Sequence, residues 1–169
     1  MINYIEEKDI VDNIVPNSVV RGDCLNVMKY IPDHSVDFIL TDLPYGKVTR
    51  CKWDTAIPFE PLWKEYYRVV KRGVIALFGQ EPFVSNMRMS NLKNYKYDLY
   101  WDKKIGSGMC NCKIQPMRQV ETISIFIEGK SHYYPQMIKR DKPIKNSTTW
   151  VTSDSFGNLG FKTNATKDL

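Results

Sequence analysis

The sequence has no apolar run approaching the roughly 20 residues that a bilayer-spanning helix needs, which excludes a membrane-spanning segment of the usual kind. Its first ten residues, MINYIEEKDI, are acidic and lack the apolar core of a secretory signal, so we expect a cytoplasmic protein. Internal repeats and low-complexity tracts are also missing. With 43% hydrophobic and 25% charged residues, the 169-residue chain has the composition of one globular domain.

Cysteine and histidine are scarce, at four and two residues respectively. Cys110 and Cys112 are separated by one residue, not the two to four typical of zinc sites, and no second pair accompanies them. His132 downstream does not complete a metal-binding pattern. Disulfides are not expected for any of the four cysteines, which include Cys24 and Cys51, in a reducing compartment. The sequence therefore predicts neither a metal site nor a disulfide framework.

The charge balance is mildly basic, with a net charge of +5 and an isoelectric point near 8.9. This permits a polyanionic partner such as nucleic acid but does not require one, since many unrelated proteins are mildly basic.

Short apolar strands alternate with amphipathic helices along the chain. Strands are predicted at 18–23, 36–41, 74–79, 95–101 and 121–128, and helices at 24–31, 59–73 and 81–92. Asp23 stands at the N-cap position of the first helix, and Gly73 at the expected end of the second. The density of apolar residues in 36–41 predicts burial on both faces of that strand. This alternation favours an α/β sheet with parallel strands joined by helical crossovers.

The stretch TDLPYG, residues 41–46, follows one of these strands. It has two readings. In one, Asp42 starts a turn, Pro44 stiffens it and Gly46 supplies a permissive backbone. In the other, Asp42 and the backbone carbonyl of Leu43 accept the N–H hydrogens of an exocyclic amine on a flat heterocycle, while Tyr45 stacks on the ring. Holding both hydrogens would free the nitrogen lone pair for attack.

TDLPYG resembles motif IV, (D/N/S)PP(Y/F/W), of the amino-group DNA methyltransferases. The surrounding GDCLNVMKYIPDHSVDFILTDLPYG resembles the opening of β-class enzymes, and KWDTAIPFEPLWKEYYRVVKRGVIALFGQEPF resembles the following helix and strand of phage and prophage members. YDLYWDKK and QPMRQVETISIF occupy the places of later strands. The resemblance extends from residue 21 to about 138.

This resemblance implies a Rossmann-like methyltransferase core with a mostly parallel sheet and helices on both faces. The implied activity is methyl transfer from S-adenosylmethionine to a base flipped out of double-stranded DNA, with adenine N6 favoured over cytosine N4. Restriction–modification in a bacterial or phage-infected cell is the implied setting. Residues 1–138 would form the core portion, and 139–169 a loop-rich basic segment that contributes to target recognition.

The resemblance also assigns roles to individual residues. The catalytic set is Asp42, Leu43, Pro44 and Tyr45; the cofactor-binding set is Asp23, Cys24 and Asp42; the nucleic-acid set is Lys47, Arg50, Lys52, Arg118, Lys139 and Arg140. Other roles remain open for several of these residues. The basic residues after the motif could form a solvated loop, Arg118 could form a structural ion pair with Glu121, and Asp23 could cap its helix.

Two departures from the family pattern affect these expectations. Leu43 replaces the usual proline but still supplies a backbone carbonyl. The family's HPTQKP-like motif has no counterpart in the sequence. Its Gly-rich FxGxG-like loop is also missing, because the superficially similar FGNLG at 156–160 is not preceded by an apolar strand. We therefore expect a core and a cofactor site that are incomplete at the C-terminus. The alternatives are a decayed enzyme that only binds DNA, or a chain that works as a homodimer or with a complementing subunit.

Overall fold

A computed structural model describes residues 2–46, 54–131 and 133–139. The chain divides into two compact units, Met1–Tyr133 and Tyr134–Leu169. In the second unit, the described residues 134–139 have no regular secondary structure. The predicted division after residue 138 stays a prediction.

The first unit contains two sheets and three described α-helices. The strands are β1 (Asn3–Glu6), β2 (Ser18–Arg21), β3 (Val36–Asp42), β4 (Val70–Gly79), β5 (Tyr95–Ser107) and β6 (Arg118–Ile127). The helices are α1 (Cys24–Val27), α2 (Phe59–Val69) and α3 (Phe83–Ser90), with short 3-10 turns at Glu7–Asp9, Met28–Tyr30 and Met109–Asn111. The predicted elements are thus present, whereas β1, which pairs in parallel with β2, was not anticipated.

The larger sheet has four strands in the order β3-β4-β6-β5. Only β3 and β4 are parallel, because helix α2 returns the chain to the starting edge between them. Strand β6 lies antiparallel to both β4 and β5. The α/β prediction is confirmed, but the expectation of a mostly parallel sheet was wrong, and the sheet is mixed.

The main hydrophobic core lies between one face of this sheet and the helices. Its fully buried side chains come from α2, β4, α3 and β6, and include Leu62, Leu77, Met87 and Phe126. Met28, beyond α1, joins the same cluster. In the described part of the chain, all three helices thus pack on the same face of the sheet, whereas helices were expected on both faces.

The opposite face of the sheet is apolar but partly open. Phe38 and Leu40 on β3 are 53% and 56% exposed, although burial on both faces was predicted for this segment. On the opposite edge strand β5, Leu99 and Trp101 are also about half exposed, at 51% and 50%. The dense run of apolar residues therefore predicted the strand correctly, but the predicted burial of both faces of β3 was wrong. Exposure depends on which layers pack against the sheet.

Helix α2 ends at Val69, earlier than its sequence pattern predicted. Lys71, Arg72 and Gly73 belong to β4, not to the last helical turn and its stop. Gly73 has a packing role there, because an added Cβ would collide with the carbonyl oxygen of Asp37 on the adjacent strand. A basic pair followed by glycine is typical of a helix end, but here close strand approach accounts for the glycine.

Candidate functional site

The segment Asp42–Gly46 leaves the sheet at the carboxyl end of β3. Asp42 is the last residue of the strand and pairs in register with Phe78, near the end of the parallel strand β4. Because β6 is antiparallel to β4, its first residue, Arg118, lies at the same end of the sheet. Carboxyl ends of strands in such sheets are the usual place for ligands.

Asp42 and Tyr45 are joined directly. The Tyr45 hydroxyl donates to Asp42 Oδ1 over 2.9 Å, and the Tyr45 ring stacks on Phe83 at a centroid distance of 4.9 Å and an interplanar angle of 30°. Burial, followed by the hydrogen bond to Asp42, raises the pKa of Tyr45 well above its usual range. The phenol is therefore protonated at physiological pH and acts as a donor.

The turn itself is anchored at both ends. The Leu43 side chain is 6% exposed and belongs to the helix-side core, so this residue contributes more than the backbone carbonyl expected of it. Pro44 is half-buried. Gly46 has a positive φ of 72° and donates its N–H to the buried Asp54 Oδ1 over 2.9 Å. The exposed Asp42 carboxylate is thus presented by a fixed backbone.

Two polar residues of the antiparallel strands reach the same place. Glu121 Oε1 lies 3.5 Å from the Tyr45 hydroxyl, and Glu121 Oε2 lies 3.6 Å from Lys103 Nζ. Arg118 donates instead to Gln80 Oε1 over 2.6 Å. The suggested ion pair between Arg118 and Glu121 was therefore wrong, because each has a different partner.

Asp23 and Cys24 begin helix α1. Asp23 Oδ1 accepts the backbone N–H groups of Leu25 and Asn26 at 3.0 and 3.1 Å, which confirms the predicted N-cap. Glu7 Oε2 in turn accepts the Asp23 N–H at 2.8 Å. Burial, reinforced by the nearby Asp23 carboxylate, raises the pKa of the Cys24 thiol. A cofactor contact for Asp23 or Cys24 stays a prediction.

Only two of the proposed nucleic-acid residues, Arg118 and Lys139, lie in the described part of the chain. Lys47, Arg50, Lys52 and Arg140 lie outside the described residues, as does the segment 156–160. Lys139 is exposed in the second unit. Arg118 is exposed at the sheet edge described above.

Several site residues had no signal in the sequence. Phe83 and Asp54 contact the Asp42–Gly46 turn directly. Lys103 pairs with Glu121, and Gln80 accepts from Arg118. Only Asp54 lies close to the turn along the chain, where its spacing of eight residues from Gly46 has no local signature. The pairing of Tyr45 with Glu121 spans 76 residues.

A separate polar cavity of about 650 Å³ is lined by residues around β1 and β2, including Glu6, Glu7, Arg21 and Gly22, and does not include the turn. No group of three or more potential metal ligands occurs among residues 2–46, 54–131 and 133–139. Over those same ranges, the helices are too short or too polar to traverse a lipid bilayer.

Comparison with known proteins begins at the sequence level. No family model matches the chain. One curated relative, "Putative methylase YubD" of Escherichia coli (strain K12), is 36% identical over 63 residues, which cover 33% of this chain and 28% of that protein.

Among solved structures, the complex of M1.HpyAVI with SAM superimposes with a TM-score of 0.53 at 19% identity, and M1.HpyAVI alone gives the same values. The chain therefore shares the fold of M1.HpyAVI. The match covers 85% of this chain and 65% of M1.HpyAVI, so the chain spans just under two thirds of that protein. The resemblance first seen in TDLPYG is thereby confirmed at the level of fold.

Proposed function

We propose that this chain is the catalytic-core portion of an S-adenosylmethionine-dependent DNA methyltransferase that modifies an exocyclic amino group of a base. One observation carries the proposal. Asp42 presents an exposed carboxylate at the carboxyl end of β3, and Tyr45 holds one of its oxygens through a 2.9 Å hydrogen bond. The fold likeness to M1.HpyAVI and the short stretch shared with YubD support it.

The carboxylate suits an amine substrate. Because Tyr45 occupies Oδ1 of Asp42 and no described residue donates to Oδ2, the second oxygen can accept an N–H from the base. The backbone carbonyl of Leu43, held in place by its buried side chain, can accept the other hydrogen. These two acceptors draw the hydrogens out of the ring plane, which localises the nitrogen lone pair for attack on a methyl group.

Tyr45 has two roles in this arrangement. Its hydroxyl orients Asp42, and its ring is supported from one side by Phe83. The ring therefore has one supported face, and the other can stack on the target base, as the sequence suggested. Adenine N6 is the favoured target, with cytosine N4 as the alternative. In double-stranded DNA the target base must flip out of the helix to reach this turn.

The residues present fit S-adenosylmethionine in part. Asp23 uses Oδ1 for both cap hydrogen bonds, so Oδ2 can accept a hydroxyl or amino hydrogen of the adenosine moiety. Asp42 adds a negative charge that favours the positive sulfonium. When bound, this group supplies an electrophilic methyl; the chain's own contribution is to hold the amine and the carboxylate in place.

The test is methyl transfer by the full chain. Purified protein in excess over unmethylated bacterial genomic DNA, with millimolar S-adenosylmethionine, allows for a weak cofactor site and an unspecified recognition sequence. We expect N6-methyladenine in the nucleoside mass spectrum, and none with Asp42→Ala. Asp37→Ala, which removes an exposed carboxylate near the start of β3, is the matched control.

Each outcome decides the proposal. Equal methylation by wild type and Asp42→Ala, or no methylated nucleoside from either, overturns it. Salt-dependent DNA binding without methylation would instead identify a DNA-binding protein. N4-methylcytosine in place of N6-methyladenine would keep the proposal and change only the target base.

A further inference from the structure

The Tyr45 hydroxyl faces two carboxylates although it has one proton to donate. Asp42 Oδ1 lies at 2.9 Å and Glu121 Oε1 at 3.5 Å. The shorter contact is the main hydrogen bond, and the longer one is at the limit of a shared, three-centre bond. Glu121 is therefore a second acceptor that limits the rotation of the phenolic proton.

The charges around this phenol are balanced by a lysine. Two carboxylates near one hydroxyl would repel each other, but Lys103 Nζ lies 3.6 Å from Glu121 Oε2. The side chains of Lys103 and Glu121 are only 17% and 13% exposed, so water screens this pair weakly. Lys103 therefore offsets the repulsion between the Glu121 and Asp42 carboxylates.

Both residues are placed by the sheet and not by the turn. Glu121 lies on the central strand β6 and Lys103 on its neighbour β5, whereas Asp42 and Tyr45 lie at the end of β3. The pair therefore connects the exposed turn to the rigid antiparallel part of the sheet. A carboxylate fixed by a strand is a more precise reference point than one on a loop.

We propose that Glu121, balanced by Lys103, is a positioning residue that acts through the Tyr45 hydroxyl to hold the Asp42 carboxylate in its reactive orientation. This inference rests on the proposed function and extends it to residues that do not touch the base. Loss of Glu121 leaves the Tyr45 hydroxyl free to rotate on a ring that Phe83 still supports, so Asp42 is held in several orientations in place of one.

A spectroscopic measurement tests the contact without requiring activity. In protein labelled with ¹³C at tyrosine Cζ, the Tyr45 resonance is assigned by its loss in Tyr45→Phe. We expect this resonance to shift in Glu121→Ala and to return toward its original position in Glu121→Gln, which retains an acceptor oxygen. Glu128→Gln, an exposed carboxylate just after β6, is the control and should leave it unchanged. An unmoved Tyr45 resonance in Glu121→Ala overturns the inference.

Single-turnover methyl transfer then tests the consequence. We expect Glu121→Ala to slow the methylation step roughly fivefold in the wild-type background, and to have no further effect in Tyr45→Phe. Additive losses would show that Glu121 acts independently of the hydroxyl and would overturn the inference. A normal rate in Glu121→Ala, with Asp42→Ala inactive, overturns it and leaves the proposed function intact. If the wild type transfers no methyl group, the proposed function fails and this inference fails with it, whatever the spectra show.

Discussion

Tyr45 donates its hydroxyl proton to Asp42, three positions earlier in the chain, with 2.9 Å between the two oxygens. The hydrogen bond turns a flexible carboxylate at the end of β3 into an oriented acceptor. Tyr45 also stacks on Phe83, which belongs to the helix-side core, so the core holds the ring that orients Asp42. The motif is therefore both a turn and a candidate reaction site, and the two readings of TDLPYG are compatible.

Asp42→Ala should abolish most methyl transfer while leaving Tyr45 available to stack on the base. Loss of a charged hydrogen bond that matters mainly in the transition state should cost about 3 kcal/mol, or roughly a hundredfold in rate. Asp42→Asn should be milder, because an amide oxygen still accepts. Single-turnover rates at saturating cofactor measure this, and near-normal turnover in Asp42→Ala would reduce the motif to a turn.

Tyr45→Phe and Tyr45→Ala separate the hydroxyl from the ring. The phenylalanine variant keeps the contact with Phe83 but loses the bond to Asp42, so we expect roughly a tenfold slower methylation step. The alanine variant also loses the stacking surface, and capture of the flipped base should weaken by a further ~1–3 kcal/mol. Comparing the rate and the half-saturating DNA concentration distinguishes the two effects. Equal rates for wild type and Tyr45→Phe would contradict the orienting role of the hydroxyl.

Leu43→Ala should destabilise the fold by about 2–5 kcal/mol, because it removes a side chain that is 6% exposed within the core cluster. Leu43→Pro introduces the residue that the motif usually has at this position. It should still be destabilising, because proline fills less of the core space that the leucine side chain occupies. Urea unfolding followed by circular dichroism measures the free energy. Leu40→Ala, on the open sheet face at 56% exposure, is the control and should cost less than about 1 kcal/mol. Similar losses for Leu43→Ala and Leu40→Ala would contradict the structure.

Cys24 should be alkylated more slowly than Cys110 and Cys112 at pH 8. The reactive species is the thiolate, and a raised pKa lowers its population at any pH below that pKa. Cys110 and Cys112 are exposed, whereas Cys24 is only partly accessible. Iodoacetamide labelling followed by peptide mass spectrometry gives the individual rates. Labelling of Cys24 as fast as that of the other two would show that its environment is not the one described.

DNA binding should weaken steeply with salt if the basic residues after the motif contact phosphates. Replacing Lys47, Arg50 and Lys52 by glutamine should lower the slope of log affinity against log salt by about 3, at ~0.9 per lost contact. Fluorescence anisotropy over a salt series measures the slope. Glutamine replacements of three exposed lysines elsewhere, Lys8, Lys29 and Lys93, control for net charge and should change it less. Equal slopes for the two triple variants would contradict phosphate contacts by the basic residues that follow Gly46.

The sequence by itself determined the local elements and the motif. Helical spacing located α2 and α3, apolar runs located the strands of the larger sheet, and Asp23 marked the start of α1. These features depend on neighbours within a few residues, so a pattern of side chains is enough to predict them. The motif resemblance likewise needed only contiguous letters, and it led to the correct fold.

Only the tertiary structure decided how those elements combine. Hydrophobic periodicity does not encode whether a strand is parallel or antiparallel, so the insertion of β6 between β4 and β5 could not be read from it. Exposure of Phe38 depends on which layers cover the sheet, and the meeting of Tyr45 with Glu121 depends on bringing together residues 76 apart. Such contacts are set by the global packing of the chain, for which no local spacing rule exists.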